Sequence, residues 1–270
     1  QPEAAIEVAN AAFSGGLDSP YLYWARGLAF LGKDRLDDAR ADFERLGKTP
    51  GYYTHLGLLQ QARASLYAAD YRDAAARLAL LIEMTHRDGD RATEIVSRVQ
   101  AGRLAALVGD RAGAKAQAVA LARLTAGADA SPAQLHDAGS VALLARDPEL
   151  ARRYLSRLTA LETTNDTPLI RAARMLLAGE IALYEKRFED AARLQDEGLA
   201  LRPWHIYARA RGEAREALGD WRRASDAWRS LLDARGRVLQ DGFPPDLTVA
   251  RDRLAHAAAR QHAGPDGKDN

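Results

Sequence analysis

With no cysteine in the chain, its candidates for chemistry are six histidines and a dense set of carboxylates and arginines. The missing thiols remove disulfides, thiolate metal sites and cysteine nucleophiles together. His55, His86, His136, His205, His256 and His262 are dispersed rather than set at metal-ligand spacing; the nearest pair, His256 and His262, does not share a helical face closely. The adjacent carboxylates Asp37-Asp38 and Glu189-Asp190 could in principle divide acid and base duties, but both pairs fall where a helix is expected to begin, and negative charge there complements the helix dipole. The chain has no glycine-rich phosphate loop with lysine, no dinucleotide fingerprint after a strand, no nucleophile elbow and no His-Glu zinc helix. The expectation is a protein that is not an enzyme, takes no cofactor or metal, and works by binding.

Charge narrows the kind of binding. Lys and Arg number 38 against 37 Asp and Glu, a net charge of +1, so no field draws the chain onto nucleic acid or anionic lipid. The basic residues are almost all Arg, which reads as the codon bias of a GC-rich bacterial genome rather than as a phosphate-binding surface. No run approaches the roughly 20 apolar residues that span a bilayer, and no charged n-region or apolar h-region opens the sequence. A soluble, cytoplasmic chain is expected, with the periplasm left open, and its partner is expected to be protein or peptide.

The elements that must position any binding residues show in the spacing. Hydrophobic residues make up 47% of the chain but aromatics only 7%, and the Ala, Leu and Arg that dominate lose little rotamer freedom in a helix. A small residue is followed twelve positions later by Ala at Gly102 and Ala114, Gly139 and Ala151, Gly179 and Ala191, Gly212 and Ala224, and Ala62 and Ala74; Ala25 and Ala39 fit with a two-residue insertion. Turn residues precede each second Ala, and those six Ala residues lie 35, 40, 37, 40 and 33 positions apart, one helical hairpin per period. Two helices on a short turn cross closely only where neither side chain exceeds a methyl group. Bulky residues follow at four positions (Phe43, Leu78, Leu155, Trp228) and at seven (Leu46, Leu81, Leu121, Leu158, Leu231), which predicts a buried face on each second helix.

This pattern resembles the tetratricopeptide repeat family. Residues 172–205 match best, through Gly179, Tyr184, Phe188, Ala191, Leu201 and Pro203, and residues 205–238 follow through Gly212, Gly219, Trp221, Ala224 and Trp228. Residues 95–165 are more divergent and residues 18–88 irregular. The resemblance implies an all-α, right-handed superhelical solenoid of antiparallel helix pairs, about six hairpins plus terminal helices, as one array over residues 1–263. Its repeats are expected at 18–53, 55–88, 95–128, 132–165, 172–205 and 205–238. Gly242 and Pro244-Pro245 break the chain, Asp246 can cap a final helix over 246–262, and the Gly- and Asp-rich residues 264–270 are expected to be a disordered tail. Residues 3–13 read as the second helix of an earlier hairpin, so the chain is expected to be the C-terminal part of a larger bacterial regulatory or signalling protein.

In such repeats the first helices line the concave surface, which implies a groove. The positions just after the small residues hold Arg26, Arg63, Arg103, Ser140, Glu180 and Glu213, basic giving way to acidic. Flanking groove positions include Phe30, Leu59 and Tyr67 in the first half, and His136, Tyr184 and Arg209 in the second. An apolar floor with charged posts suits an extended peptide, a helix or a partner domain, which could belong to the same protein; the alternative is a small-ligand sensor that closes on an effector and controls an absent effector domain.

Overall fold

Six turns of one conformation organise the chain. Asp34, Ala69, Gly109, Arg146, Lys186 and Gly219 all adopt left-handed backbone, with φ between 58° and 79°. Each stands five residues before the second Ala of its hairpin, so the turn and the helix contact keep a fixed register. The next residue opens the second helix. Asp70, Asp110, Asp147 and Asp220 each accept a hydrogen bond from the backbone N–H three residues on, which meets one of the orphan donors of a helix start. Arg35 and Arg187 provide no such cap, and their helices carry Asp37, Asp38, Glu189 and Asp190 in the first turn instead.

The computed structural model describes residues 2–204 and 207–262, and among these no strand occurs. After α1 (Pro2–Ser14) come six hairpins: α2 (Pro20–Gly32) with α3 (Leu36–Gly47), α4 (Tyr52–Tyr67) with α5 (Tyr71–Asp88), α6 (Arg91–Leu107) with α7 (Arg111–Leu124), α8 (Pro132–Leu144) with α9 (Pro148–Thr164), α10 (Pro168–Tyr184) with α11 (Phe188–Leu201), and α12 (Ala208–Ala217) with α13 (Trp221–Asp233). A short α14 (Arg235–Gln240) and a long α15 (Pro245–His262) complete the described chain. Helices α4, α6 and α10 begin three to four residues ahead of the expected repeat starts. His205 and the expected tail at 264–270 lie outside the described residues. No described helix is long and apolar enough to cross a membrane.

Each helix packs on its hairpin partner and on the next hairpin, and the first helices also meet one another, α2 with α4, α6 with α8, α8 with α10 and α10 with α12. The result is a right-handed superhelical solenoid with the first helices on its inner side. Small residues sit where the spacing put them, with one correction. Ala25 is exposed, whereas Gly27 is buried and a methyl added to it would stand 2.4 Å from the Phe43 ring. Gly27 lies twelve residues before Ala39, so the first hairpin obeys the same spacing as the rest and needs no insertion. A second correction falls on α9. There Tyr154 is buried, its hydroxyl 3.1 Å from that of Thr125, and Leu155 is left half-buried.

The array continues past α13 because α15 packs along it, with Leu247, Ala250 and Ala257 fully buried. Between those two helices the chain makes an excursion. Helix α14 leaves the stack to pack on α2 and α4, and residues 240–246 then cross the inner face before α15 is under way.

Candidate functional site

The inner face of the superhelix is partly filled by residues 240–246 of the chain itself, a strap held at four points. Arg63 on α4 donates from Nη1 to the carbonyl of Gln240, and Gln100 on α6 donates from Nε2 to the carbonyl of Gly242 at 3.0 Å. Phe243 is buried in a cluster with Leu66, Leu78 and Leu104, and the Arg103 guanidinium lies 4.7 Å from its ring centre. Asp246 is 1% exposed, and its carboxylate accepts from Arg103 Nη2 at 2.6 Å and from Arg209 Nη1 at 2.9 Å. This corrects the expectation that Asp246 caps α15. Two guanidiniums converge on the carboxylate, and a charge-assisted pair outweighs one backbone contact at a helix start.

Arg63 differs from its neighbours. It is 4% exposed, yet among the described residues it has a carbonyl and no carboxylate for a hydrogen-bond partner, and its Nε is left unpaired. Burial, opposed only by the more distant Asp241, pulls its pKa down to about 10.

Two cavities flank the strap. The larger, about 560 Å³, runs along α4 and α6 and is lined by Trp24, Leu59, Gln60, Arg63, Gln100 and strap residues 240–242. The smaller, about 340 Å³, lies toward α10 and α12 between Leu107, Leu144, Tyr184, Arg209, Glu213 and Phe243. Val99, Arg103, Asp137 and Tyr207 line both, so the two are parts of one channel divided by the strap.

The wall of the second half pairs with itself. His136, 1% exposed, has Nδ1 at 3.1 Å from Asp137 Oδ1 and Nε2 at 3.2 Å from Glu180 Oε1. Ser140 donates to Glu180, and the Tyr207 hydroxyl donates to Asp137 at 3.0 Å while its ring sits edge-on to the imidazole. Burial favours a neutral ring, but Glu180 and Asp137 outweigh it and raise the His136 pKa to about 9. His136 is therefore an imidazolium at neutral pH and has no lone pair with which to act as a base. Burial and Asp137 hold the Tyr207 phenol well above its ordinary range. Among the described residues no cluster of three or more histidines and carboxylates could hold a metal ion.

Of the twelve groove residues expected from sequence, Leu59, Arg63, Arg103, Ser140, Glu180, Tyr184, Arg209 and Glu213 line one or both cavities. The other four do not. Arg26 was misplaced by the wrong small residue: it stands before Gly27 rather than after it, and it pairs with Asp42 on α3 and Asn10 on α1. Phe30 is buried in the cluster that Val238 and Leu239 of α14 complete. Tyr67 receives Arg235 at 2.6 Å from the start of α14 and bonds Asp34. His136 is sealed inside the wall. Spacing did not find Gln60, Gln100, Asp137, Tyr207 or the strap. One signal was present: an aromatic residue, rare in this chain, stands at position 243 between Gly and Pro-Pro in a segment that reads only as a breaker.

Comparison with known proteins agrees with this geometry at the level of fold. The chain superposes on a protein of the APC/C hetero-tetramer Cut9–Hcn1 with a TM-score of 0.50 and 15% identity, covering 95% of this chain and 46% of that one. It thus spans about half the length of that structure. Other similar structures are a tetratricopeptide repeat protein from Parabacteroides merdae ATCC 43184, with 13% identity, TM-score 0.46 and coverage of 92% and 94%, and the C-terminal part of a repeat-containing protein from Cytophaga hutchinsonii, with 16% identity, TM-score 0.45 and 94% of each chain. No family model and no curated protein matches the sequence. The chain has a tetratricopeptide-like fold.

Proposed function

We propose that this chain is a protein-interaction scaffold whose concave channel holds a short polypeptide segment, donated by a partner protein or by another domain of the same protein. Folds of this kind generally serve as interaction scaffolds. The observation that carries the reading here is the strap, a polypeptide seated in the channel by donors aimed at its main-chain carbonyls, a pocket for an aromatic ring and a double guanidinium clamp for a carboxylate. Side-chain donors aimed at main-chain carbonyls suit any peptide, while ring and carboxylate sites supply selectivity. Charge that cancels overall, with both signs lining the channel, suits peptide better than nucleic acid or lipid. The regulatory role in a bacterial signalling protein expected from sequence belongs to this reading.

The reading is tested by selecting peptides from a displayed random library on the purified chain and measuring their affinity for the chain and for its Arg103→Glu variant. Selected peptides should lose at least tenfold in affinity on charge reversal while the helical signal is unchanged; equal affinity would refute the channel as the binding surface. The cavity volumes favour a second reading as a small-ligand sensor, because about 340 and 560 Å³ fall in the range of small-molecule sites. Calorimetry with a metabolite panel tests it, and heat from no compound would remove it.

A further inference from the structure

The strap fits its seat incompletely, and the misfit describes a better occupant. Among the described residues nine buried side-chain polar atoms lack a hydrogen-bond partner, and four of them, on Trp24, Gln60, Arg63 and Gln100, belong to residues that line the cavity beside the strap. Each is a buried polar atom without a protein partner. Arg63 is the sharpest case, because a buried guanidinium is ordinarily paired with an anion, and here the strap offers it a neutral carbonyl. The other two strap sites are well matched: Phe243 fills an apolar pocket, and Asp246 neutralises Arg103 and Arg209.

We infer that the channel recognises, in a partner protein, a segment with a carboxylate, an aromatic residue three positions later and a second carboxylate three positions after that, and that this segment replaces the chain's own residues 240–246. The register is read from the strap itself, in which Gln240, Phe243 and Asp246 occupy those three places. An acidic side chain at the first place shares the cavity lining with Arg63, a cation that the strap meets with a main-chain carbonyl and, at longer range, Asp241, and this gives the incoming segment its advantage. The strap includes only the first two residues of α15, and that helix packs along α13 through Leu247, Ala250 and Ala257, which lie beyond it. In this state of the channel the strap is an internal competitor that sets a threshold for binding. The inference rests on the proposed scaffold function and adds to it the partner's chemistry.

The test uses a fluorescent peptide with the sequence of residues 238–248 and a second peptide differing only by Gln240→Glu, each titrated by anisotropy against the full chain and its Phe243→Ala variant. The expected result is that the Glu peptide binds at least tenfold more tightly than the native one, that both bind the Phe243→Ala chain more tightly than the unaltered chain, and that the Glu preference vanishes in an Arg63→Gln chain. Equal affinity of the two peptides, or no binding of either, overturns the inference. Because Phe243→Ala can fail to fold, amide exchange of the unaltered chain is measured with saturating Glu peptide: residues 236–246 should lose protection while α13 keeps it, and unchanged protection is equally fatal. Formation of a dimer through exchanged straps, seen by sedimentation, also overturns it. Library peptides that bind in an Arg103-dependent way but lack the acid–aromatic–acid pattern would leave the scaffold function standing and remove this inference; an empty selection would remove both.

Discussion

The two halves of the channel are built from the same kind of helix hairpin, yet they balance their buried charge in opposite ways. In the second half, α8 and α10 set His136 between Asp137 and Glu180, and Ser140 and Tyr207 complete the network from within the array. In the first half, Arg63 and Arg103 find no carboxylate on α2, α4 or α6 among the described residues; their partners come from residues about 140 to 180 positions away, at Gln240 and Asp246. A solenoid whose repeats touch only their neighbours is stabilised locally. This one is local in its second half and long-range in its first, and the long-range part is also the part that a competing segment can replace.

The largest test of that contrast is Asp246→Ala. Removing the acceptor leaves Arg103 without an ion pair and Arg209 with Glu213 alone, so global stability should fall by about 3 kcal/mol, as it does when one partner of a largely buried pair is deleted. Urea unfolding measures the loss, and amide exchange should rise more in α4 and α6 than in α8 and α10. A loss spread evenly over the array would erase the distinction between the halves.

The second test addresses the self-contained half through pH. The folded pKa of His136 is about 9 against an ordinary 6.5, so the stability it contributes is present in full below about pH 6.5 and is lost as pH rises through 9. Between pH 7 and pH 10 the urea midpoint should fall by the equivalent of roughly 2 kcal/mol. Tyr207, whose phenol is held well above its ordinary range, stays neutral through that window. His136→Gln should flatten the profile; a slope that survives the substitution would assign it elsewhere.

Fold and site were legible to different degrees, for a physical reason. Close helix contacts leave a mark at fixed spacing, because Gly179 and Gly212 must stay small to admit Gln195 and Trp228 of their own hairpins, and Gly102 and Gly139 to admit Val141 and Leu177 of the next. Gly27 obeys the same rule, and with Gly27 rather than Ala25 as the small residue Arg26 falls outside the channel. The close approach of α3 and α4 left no such mark: a methyl on Gly57 would stand 2.5 Å from the Gly47 backbone, and nothing in the repeat predicts that pair. Eight groove residues could be found because first helices face inward in every repeat. The strap could not, because its contacts join positions such as Gln100 and Gly242 that share no period.

The smallest effect concerns the turns, where the contrast becomes one of sign. Ala69 and Lys186 hold left-handed backbone at φ 58° and 63°, a conformation that costs a side-chain-bearing residue roughly 1 kcal/mol and glycine almost nothing. Glycine gives back part of that gain through the extra freedom of its unfolded chain, so Ala69→Gly and Lys186→Gly should each stabilise by about 0.5 kcal/mol, or about 1–2 °C in melting temperature. Asp34 occupies the same place in the first hairpin at φ 61°, but its carboxylate accepts from Tyr67 and from Arg235 at 2.7 Å, the contacts that moor α14. Asp34→Gly relieves the same backbone and cuts that mooring. Its melting temperature should therefore drop where the other two rise, and a rise at all three positions would mean that α14 stays in place without help from the turn beneath it.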